Sequence, residues 1–198
     1  MTPQQAQQAQ MLIAFNKAVS GFAVKVAAFM HAGGQEVSIE PKFDCEIPAE
    51  TKFLRSSLIR EEVKELLDAI DNDDFVGIAD GIADSLYVII GTALAYGIPT
   101  GLAFDVVSEN NMTKINLETG KCDRSPEGKI LKPEGYKKVE LEEPLRLWAD
   151  GIKNAGGDAM FIPLVVEGYI RQFRKAQSAI IQPGDVDEAT RLGILSTN

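Results

Sequence analysis

Apolar residues recur mostly at steps of three and four through Met11, Leu12, Phe15, Val19, Phe22, Val26 and Phe29. That spacing predicts one amphipathic helix over residues 4–31, ended by Gly33-Gly34. Residues 35–50 contain Pro41, Pro48 and several charges, and read as a loop. A second helix is predicted from Thr51 to Ile70, with Leu54, Leu58, Ile59, Val63, Leu66 and Leu67 as its apolar stripe. Asp71-Asn72-Asp73-Asp74 is a polar turn, and Asp74 is a good N-cap for the next helix. That third predicted helix, Phe75 to Tyr96, is apolar on nearly every side, which places it in the middle of a bundle. Gly97-Ile98-Pro99 stops it, and Thr100 is a capping candidate for a short fourth helix, Gly101 to Asn111. Residues 115–143 are broken at Gly120, Pro126-Glu127-Gly128, Pro133 and Gly135, so irregular backbone or a small hairpin is expected. Two more helical stretches come after it, Pro144–Asn154 and Phe161–Ile181, with Trp148 and Phe161 expected to pack on the core. The pattern is that of an all-α protein. Residues 1–143 form a four-helix-bundle-like core with an irregular loop region, and 144–198 form a helical extension packed on it.

Composition narrows the chemistry. The 198 residues hold 20 Lys+Arg against 29 Asp+Glu, a net charge of −9. A duplex-binding protein needs cations to neutralise phosphates, so duplex nucleic acid is an unexpected partner. Small phosphates held through a metal remain compatible. Cys45 and Cys122 lie far apart without a CxxC pair, and His31 is the single histidine, which removes zinc ribbons and His-pair metal sites. The N-terminus lacks a signal-peptide pattern. The longest uncharged apolar run, Ser85–Ile98, has 14 residues, too short to span a bilayer. A cytoplasmic location with reduced thiols and no membrane partner is the expectation.

The informative residues are carboxylates. Glu61, Glu62 and Glu65 share a face of the second helix, and Asp80 and Asp84 are four apart on the third. Alone, the glutamates read as a solvated face. The aspartates differ, because they sit among Ile78, Ala79, Ile82, Ala83 and Leu86 with no Lys or Arg between Phe75 and Met112. A buried carboxylate without compensation costs several kcal/mol. The missing positive charge must come from another segment or a bound ion. Oxygen-only donors favour a hard cation, Mg2+ or Mn2+. An EF-hand starting at Asp71 fails, since its glycine position is Val76 and its twelfth position is Ile82. Gly120-Lys121 and Gly128-Lys129 lack the earlier glycine of a P-loop. Lys114, Lys132 and Arg55 are the cations to aim at phosphates. Tyr136 is expected to close a loop rather than stack on a base.

The stretch Arg55-Ser56-Ser57-Leu58-Ile59-Arg60-Glu61-Glu62-Val63-Lys64-Glu65-Leu66 resembles the signature of the all-α nucleotide pyrophosphohydrolases, the superfamily of MazG, dimeric dUTPases and phosphoribosyl-ATP pyrophosphohydrolase. Asp80-Gly81-Ile82-Ala83-Asp84-Ser85-Leu86-Tyr87 resembles its second half. Asn110-Asn111-Met112-Thr113-Lys114 and the run Gly128 to Tyr136 are similar to a phosphoribosyl-ATP-pyrophosphohydrolase-like subgroup. The resemblance covers residues 15 to 140. It implies that Glu62, Glu65, Asp84 and Asp80 ligate magnesium and that Glu61 is a general base or an outer partner. It also implies that Asn111 and Lys114 face the site from the fourth helix, with Lys114 counted among the catalytic groups. One position departs from the E-x-x-D pattern, which puts an acid at 81, where this chain has Gly81. Asp80 lies about 100° around the helix from that position.

The implied activity is Mg2+-dependent cleavage of a nucleoside triphosphate or related nucleotide to monophosphate and pyrophosphate, by a homodimer or dimer of dimers. The rivals are a non-catalytic helical module that kept the fold, and phosphoribosyl-ATP hydrolysis.

Overall fold

The computed structural model describes residues 21–43 and 47–158, together with 162, 166, 169–171, 174 and 175. Five helices are bounded: α1 (Gly21–Ala32), α2 (Ala49–Asp71), α3 (Phe75–Tyr96), α4 (Thr100–Met112) and α5 (Glu142–Asn154). The described positions from 162 to 175 are also helical. Among the described residues the only β-pairing is two isolated bridges, Asn116↔Lys121 and Arg124↔Ile130, so the all-α expectation stands. The expected helical residues 4–20 and Phe161 lie outside the described residues.

The α2–α3 hairpin organises the fold. Asn72 closes α2 by donating its side-chain amide to the Asp68 carbonyl at 2.7 Å. Asp73 then takes a left-handed φ of 54°, a conformation that Asp tolerates better than most residues. Asp74 caps α3 as its sequence suggests, accepting from the Gly77 amide at 3.0 Å. The chain therefore reverses within three residues and lays α3 antiparallel along α2. The two backbones come closest at Gly81. A Cβ there would lie 2.9 Å from Leu66 Cα and 3.2 Å from its amide nitrogen.

At the other end of α3, Gly97 takes φ 71° as a left-handed C-cap, and a Cβ there would overlap the Glu40 carbonyl. Thr100 does not cap α4 through its side chain. It is the first helical residue, after Pro99, whose fixed φ already suits a helix start. The loop before α2 is pinned to α3 by Ser38 N–H to the Leu94 carbonyl (2.9 Å) and Lys42 N–H to the Tyr96 carbonyl (3.2 Å).

Two expectations are revised. The buried stripe of α1 is Ala23, Val26, Ala27 and Met30, while Phe22 and Phe29 face outward. Small alanines let α1 approach α3 closely, which the larger phenylalanines would prevent. Second, α3 is not covered on all sides by the described residues. Its buried side is Gly81, Ser85, Ile90, Gly91, Ala93, Leu94 and Ala95. Phe75 (83% exposed), Val76 (77%), Ile82, Leu86 (51%) and Ile89 remain open, because α1 and α2 both pack from one side and α4 makes no comparable contact with either acidic helix. By length and composition α3 passes as a membrane-crossing helix, but it carries Asp80 and Asp84 in its first half.

The C-terminal extension shares the core. Trp148, Ile152, Ala155 and Val166 join Val26, Met30, Ile39, Ile90 and Leu94 in one hydrophobic cluster. Trp148 donates its indole N–H to the Ile39 carbonyl at 2.8 Å, and Asp158 accepts from the Ile39 amide at 2.8 Å.

Replacing Gly81 by alanine adds a Cβ against α2 backbone, which cannot rotate away. We expect Gly81→Ala to lose about 1–3 kcal/mol of stability, the usual range for overpacking, despite its better helix propensity. Gly91→Ala has side-chain atoms rather than backbone as its nearest neighbours, Arg55 Nη1 at 2.9 Å and Met30 Sδ at 3.4 Å; these can shift by a few tenths of an ångström, so it should cost less. Urea unfolding of both variants checks the order, and equal stabilities would refute it.

Candidate active site on the α2–α3 hairpin

The register that sets Leu66 against Gly81 decides where the acids lie. One turn earlier on α2 and one later on α3, Glu62 comes opposite Ser85 and beside Asp84. Glu62 is half-buried, whereas Glu61, Glu65, Asp80 and Asp84 are exposed. The expectation that the aspartates lie buried among apolar neighbours is thus revised for the single chain, because the outer side of α3 has no cover.

The electrostatics still converge on one residue. Glu62 holds its proton above the ordinary carboxylate range, through partial burial first and then through the fields of Asp84, Glu65, Glu61 and Asp80. Every one of those neighbouring charges is negative. Lys64, the cation inside the glutamate cluster, gives its ammonium to Asp68 at 2.6 Å. Among the described residues no three His, Cys, Asp or Glu side chains are gathered closely enough to hold a metal ion as they stand. The donor chemistry nevertheless fits a hard divalent cation, since the set is all oxygen and every charge acting on Glu62 is negative. Exposed Glu and Asp side chains can rotate inward when a cation removes that repulsion.

Gly81 faces α2 at the helix crossing, where an acid would be driven into Leu66, and this accounts for its departure from the acidic pattern. Asp80 and Asp84 lie to its side and act together on Glu62.

The cations are distributed differently from expectation. Arg55 is only 6% exposed. It donates through Nη2 to Gln35 Oε1, packs against Gly91, and leaves Nε without a hydrogen-bond partner. Burial lowers its proton affinity. It is a core residue between α1, α2 and α3 rather than a group presented to phosphates.

Asn111, Lys114 and Lys132 do assemble, around Tyr136. Lys114 donates to Asn111 Oδ1 at 2.6 Å, and the ammonium groups of Lys114 and Lys132 sit 5.4 and 5.3 Å from the Tyr136 ring centre. The Tyr136 hydroxyl donates to Asn110 Oδ1, and Asn110 donates to the Lys137 carbonyl at 3.0 Å. Tyr136 therefore closes the 115–141 loop back onto the end of α4, and two lysines flank its face. Sequence reading missed Ser85, whose buried hydroxyl has no hydrogen-bond partner at the Glu62 level. Its place directly after Asp84 was the signal that could have found it.

A carboxylic acid whose proton affinity is raised on folding destabilises the folded state once ionised. Its penalty is absent at low pH and appears as pH rises above the ordinary carboxylate range. In metal-free protein, Glu62→Gln should therefore raise Tm at neutral pH. That gain should shrink as pH falls toward the pKa of a free glutamate. Thermal melts in chelator across pH check this; a gain that grows on acidification would contradict it.

No curated protein matches the chain. The sequence model of the phosphoribosyl-ATP pyrophosphohydrolase family matches residues 26–111, from α1 to the end of α4. Taken with the helical fold and the two acidic helices, that match makes residues 26–111 similar to the phosphoribosyl-ATP pyrophosphohydrolase family, fits the all-α nucleotide pyrophosphohydrolase superfamily and supports an activity of the pyrophosphohydrolase type.

Proposed function

We propose that the chain is a Mg2+-dependent nucleotide pyrophosphohydrolase, splitting a nucleoside triphosphate or a related nucleotide into monophosphate and pyrophosphate. The observation that carries this is the convergence of four negative fields, from Asp84, Glu65, Glu61 and Asp80, on Glu62. Glu62, Glu65 and Asp84, with Asp80, would hold the ion. When bound, it supplies charge neutralisation of phosphate oxygens and lowers the pKa of coordinated water. Glu61 lies about 100° around α2 from Glu62. It would accept the proton of the attacking water while the phosphorus–oxygen bond to the leaving pyrophosphate breaks. Lys114 and Lys132 supply mobile positive charge for the phosphates, held ready on the Tyr136 face.

The family match favours phosphoribosyl-ATP as one member of the substrate panel. The non-catalytic reading drew its support from Gly81; the close packing of that glycine on α2 gives its presence a second reason.

The same reading includes a homodimer. Phe53, Leu67 and Ile70 on α2 and Phe75, Val76, Ile82, Leu86 and Ile89 on α3 are exposed together. Contiguous apolar surface of that kind marks an interface. A second copy of the hairpin would cover it and desolvate the carboxylates at its edge. We expect the protein to sediment as a dimer or dimer of dimers and Ile89→Glu to shift it toward monomer. A monomeric wild type would overturn the proposal.

Pyrophosphate release from a nucleotide panel tests the activity. We expect turnover with Mg2+ or Mn2+, none in chelator, and none supported by Ca2+. Glu65→Gln and Asp84→Asn should abolish turnover with the fold intact. Glu62→Gln should weaken metal binding by calorimetry. Glu61→Gln should lower kcat about 10²–10⁴-fold with metal binding kept. Full activity in excess chelator, or near-normal kcat in the Asp84 variant, would refute this assignment.

A further inference from the structure

A groove of about 1050 Å3 opens between α1, α3 and the C-terminal helical segment. Its aromatic walls are Phe29, Tyr87 and Tyr169, and Lys25, Arg171 and Arg174 stand around them. The Phe29 and Tyr87 rings meet edge to face at 5.8 Å. Tyr87 and Tyr169 are close enough that burial and the second phenol both raise Tyr87's proton affinity. No acidic side chain is among the described lining residues. In a chain of net charge −9, three cations among the described lining residues make this groove a place where positive charge gathers. The remaining described lining is His31 with the small or apolar Ala28, Ala32 and Ile170.

Two features tie the groove to the acidic hairpin. Tyr87 comes three residues after Asp84 on α3, so the two side chains are neighbours on one face, about 5–6 Å apart at their Cβ atoms. Phe29 is the α1 residue that points away from the core and toward this groove. The groove therefore begins one helical turn from the carboxylates. Aromatic faces accept a planar base and cations accept a phosphate. An extended polyanion is a poor occupant, since the net charge of −9 would repel it.

We propose that this groove holds the nucleoside monophosphate half of the substrate, with the base against Phe29, Tyr87 and Tyr169 and its phosphate against Lys25, Arg171 and Arg174. This rests on the pyrophosphohydrolase reading, and adds that the C-terminal segment, outside the matched residues 26–111, completes the substrate site. Tyr169 and Arg171 then determine which nucleotide is accepted, while the pyrophosphate half lies toward Asp84.

The test is calorimetric titration of the full chain, in chelator, with a panel of nucleoside monophosphates. Inorganic phosphate and a single-stranded oligonucleotide are the controls. We expect at least one monophosphate to bind more tightly than inorganic phosphate. The Arg171→Glu/Arg174→Glu double variant should weaken it about tenfold or more, the scale of a lost charge-assisted contact. Tyr169→Ala should weaken it as well, and Tyr169→Phe, which keeps the ring, should restore it. In turnover the same arginine variant should raise KM more than it lowers kcat.

Absence of monophosphate binding to wild type overturns the proposal. So do equal affinities in wild type and variants, or binding of the oligonucleotide alone. Failure of the wild type to hydrolyse any nucleotide overturns the activity instead. The metal-free titration separates the two, because it requires no turnover.

Discussion

The site depends on a contact without a side chain. Gly81 lets α3 lie against the backbone of α2 at Leu66, and the register of that crossing sets Glu62 beside Asp84 and Ser85. Any Cβ at 81 would push the helices apart and weaken the coupling between the acids. The departure from the expected acidic pattern is thus a packing requirement. The acids are displaced to 80 and 84, which flank the crossing instead of occupying it.

Around that crossing the chain is well closed on one side and open on the other. The closed side is built by α1, the 38–42 loop and the extension, joined through Trp148, Ile152 and Val166. Backbone hydrogen bonds from Ser38 and Lys42 to the end of α3 hold it together. The open side carries the acids and a row of exposed aliphatic and aromatic residues. Electrostatic repulsion inside an acid cluster is weakened by water and strengthened when water leaves. Covering the apolar row would therefore raise both the repulsion at Glu62 and the benefit of a bound cation. Assembly and metal binding are coupled in this reading of the site.

Two groups of cations gather at aromatic rings. Lys114 and Lys132 are parked over Tyr136, and Lys25, Arg171 and Arg174 edge the aromatic groove. Arg55 is a third case. It is a buried cation with a neutral partner, Gln35, and room made for it by Gly91. A residue's charge alone did not distinguish these roles. Burial did, because a guanidinium locked between three helices cannot reach a phosphate in solvent.

Local rules decided much from sequence alone. Three-to-four periodicity, the Asp74 cap, the glycine and proline stops and the broken run 115–143 placed α2, α3, α4 and α5 within a few residues of their observed ends, because these are nearest-neighbour effects. The choice of Glu61, Glu62, Glu65, Asp80 and Asp84 as the chemically informative group was also legible, from the lack of any cation along α3. Periodicity could not say which face of α1 is buried, since Phe22-Ala23 and Phe29-Met30 satisfy the same period one residue apart. That was decided by how closely alanine lets two helices approach. Nor could it say that α3 is open on one side, that Arg55 is interior, or that Tyr169, Ile170, Arg171 and Arg174 return to α1 and α3. Those facts depend on contacts between segments distant in sequence, and only the tertiary structure sets them.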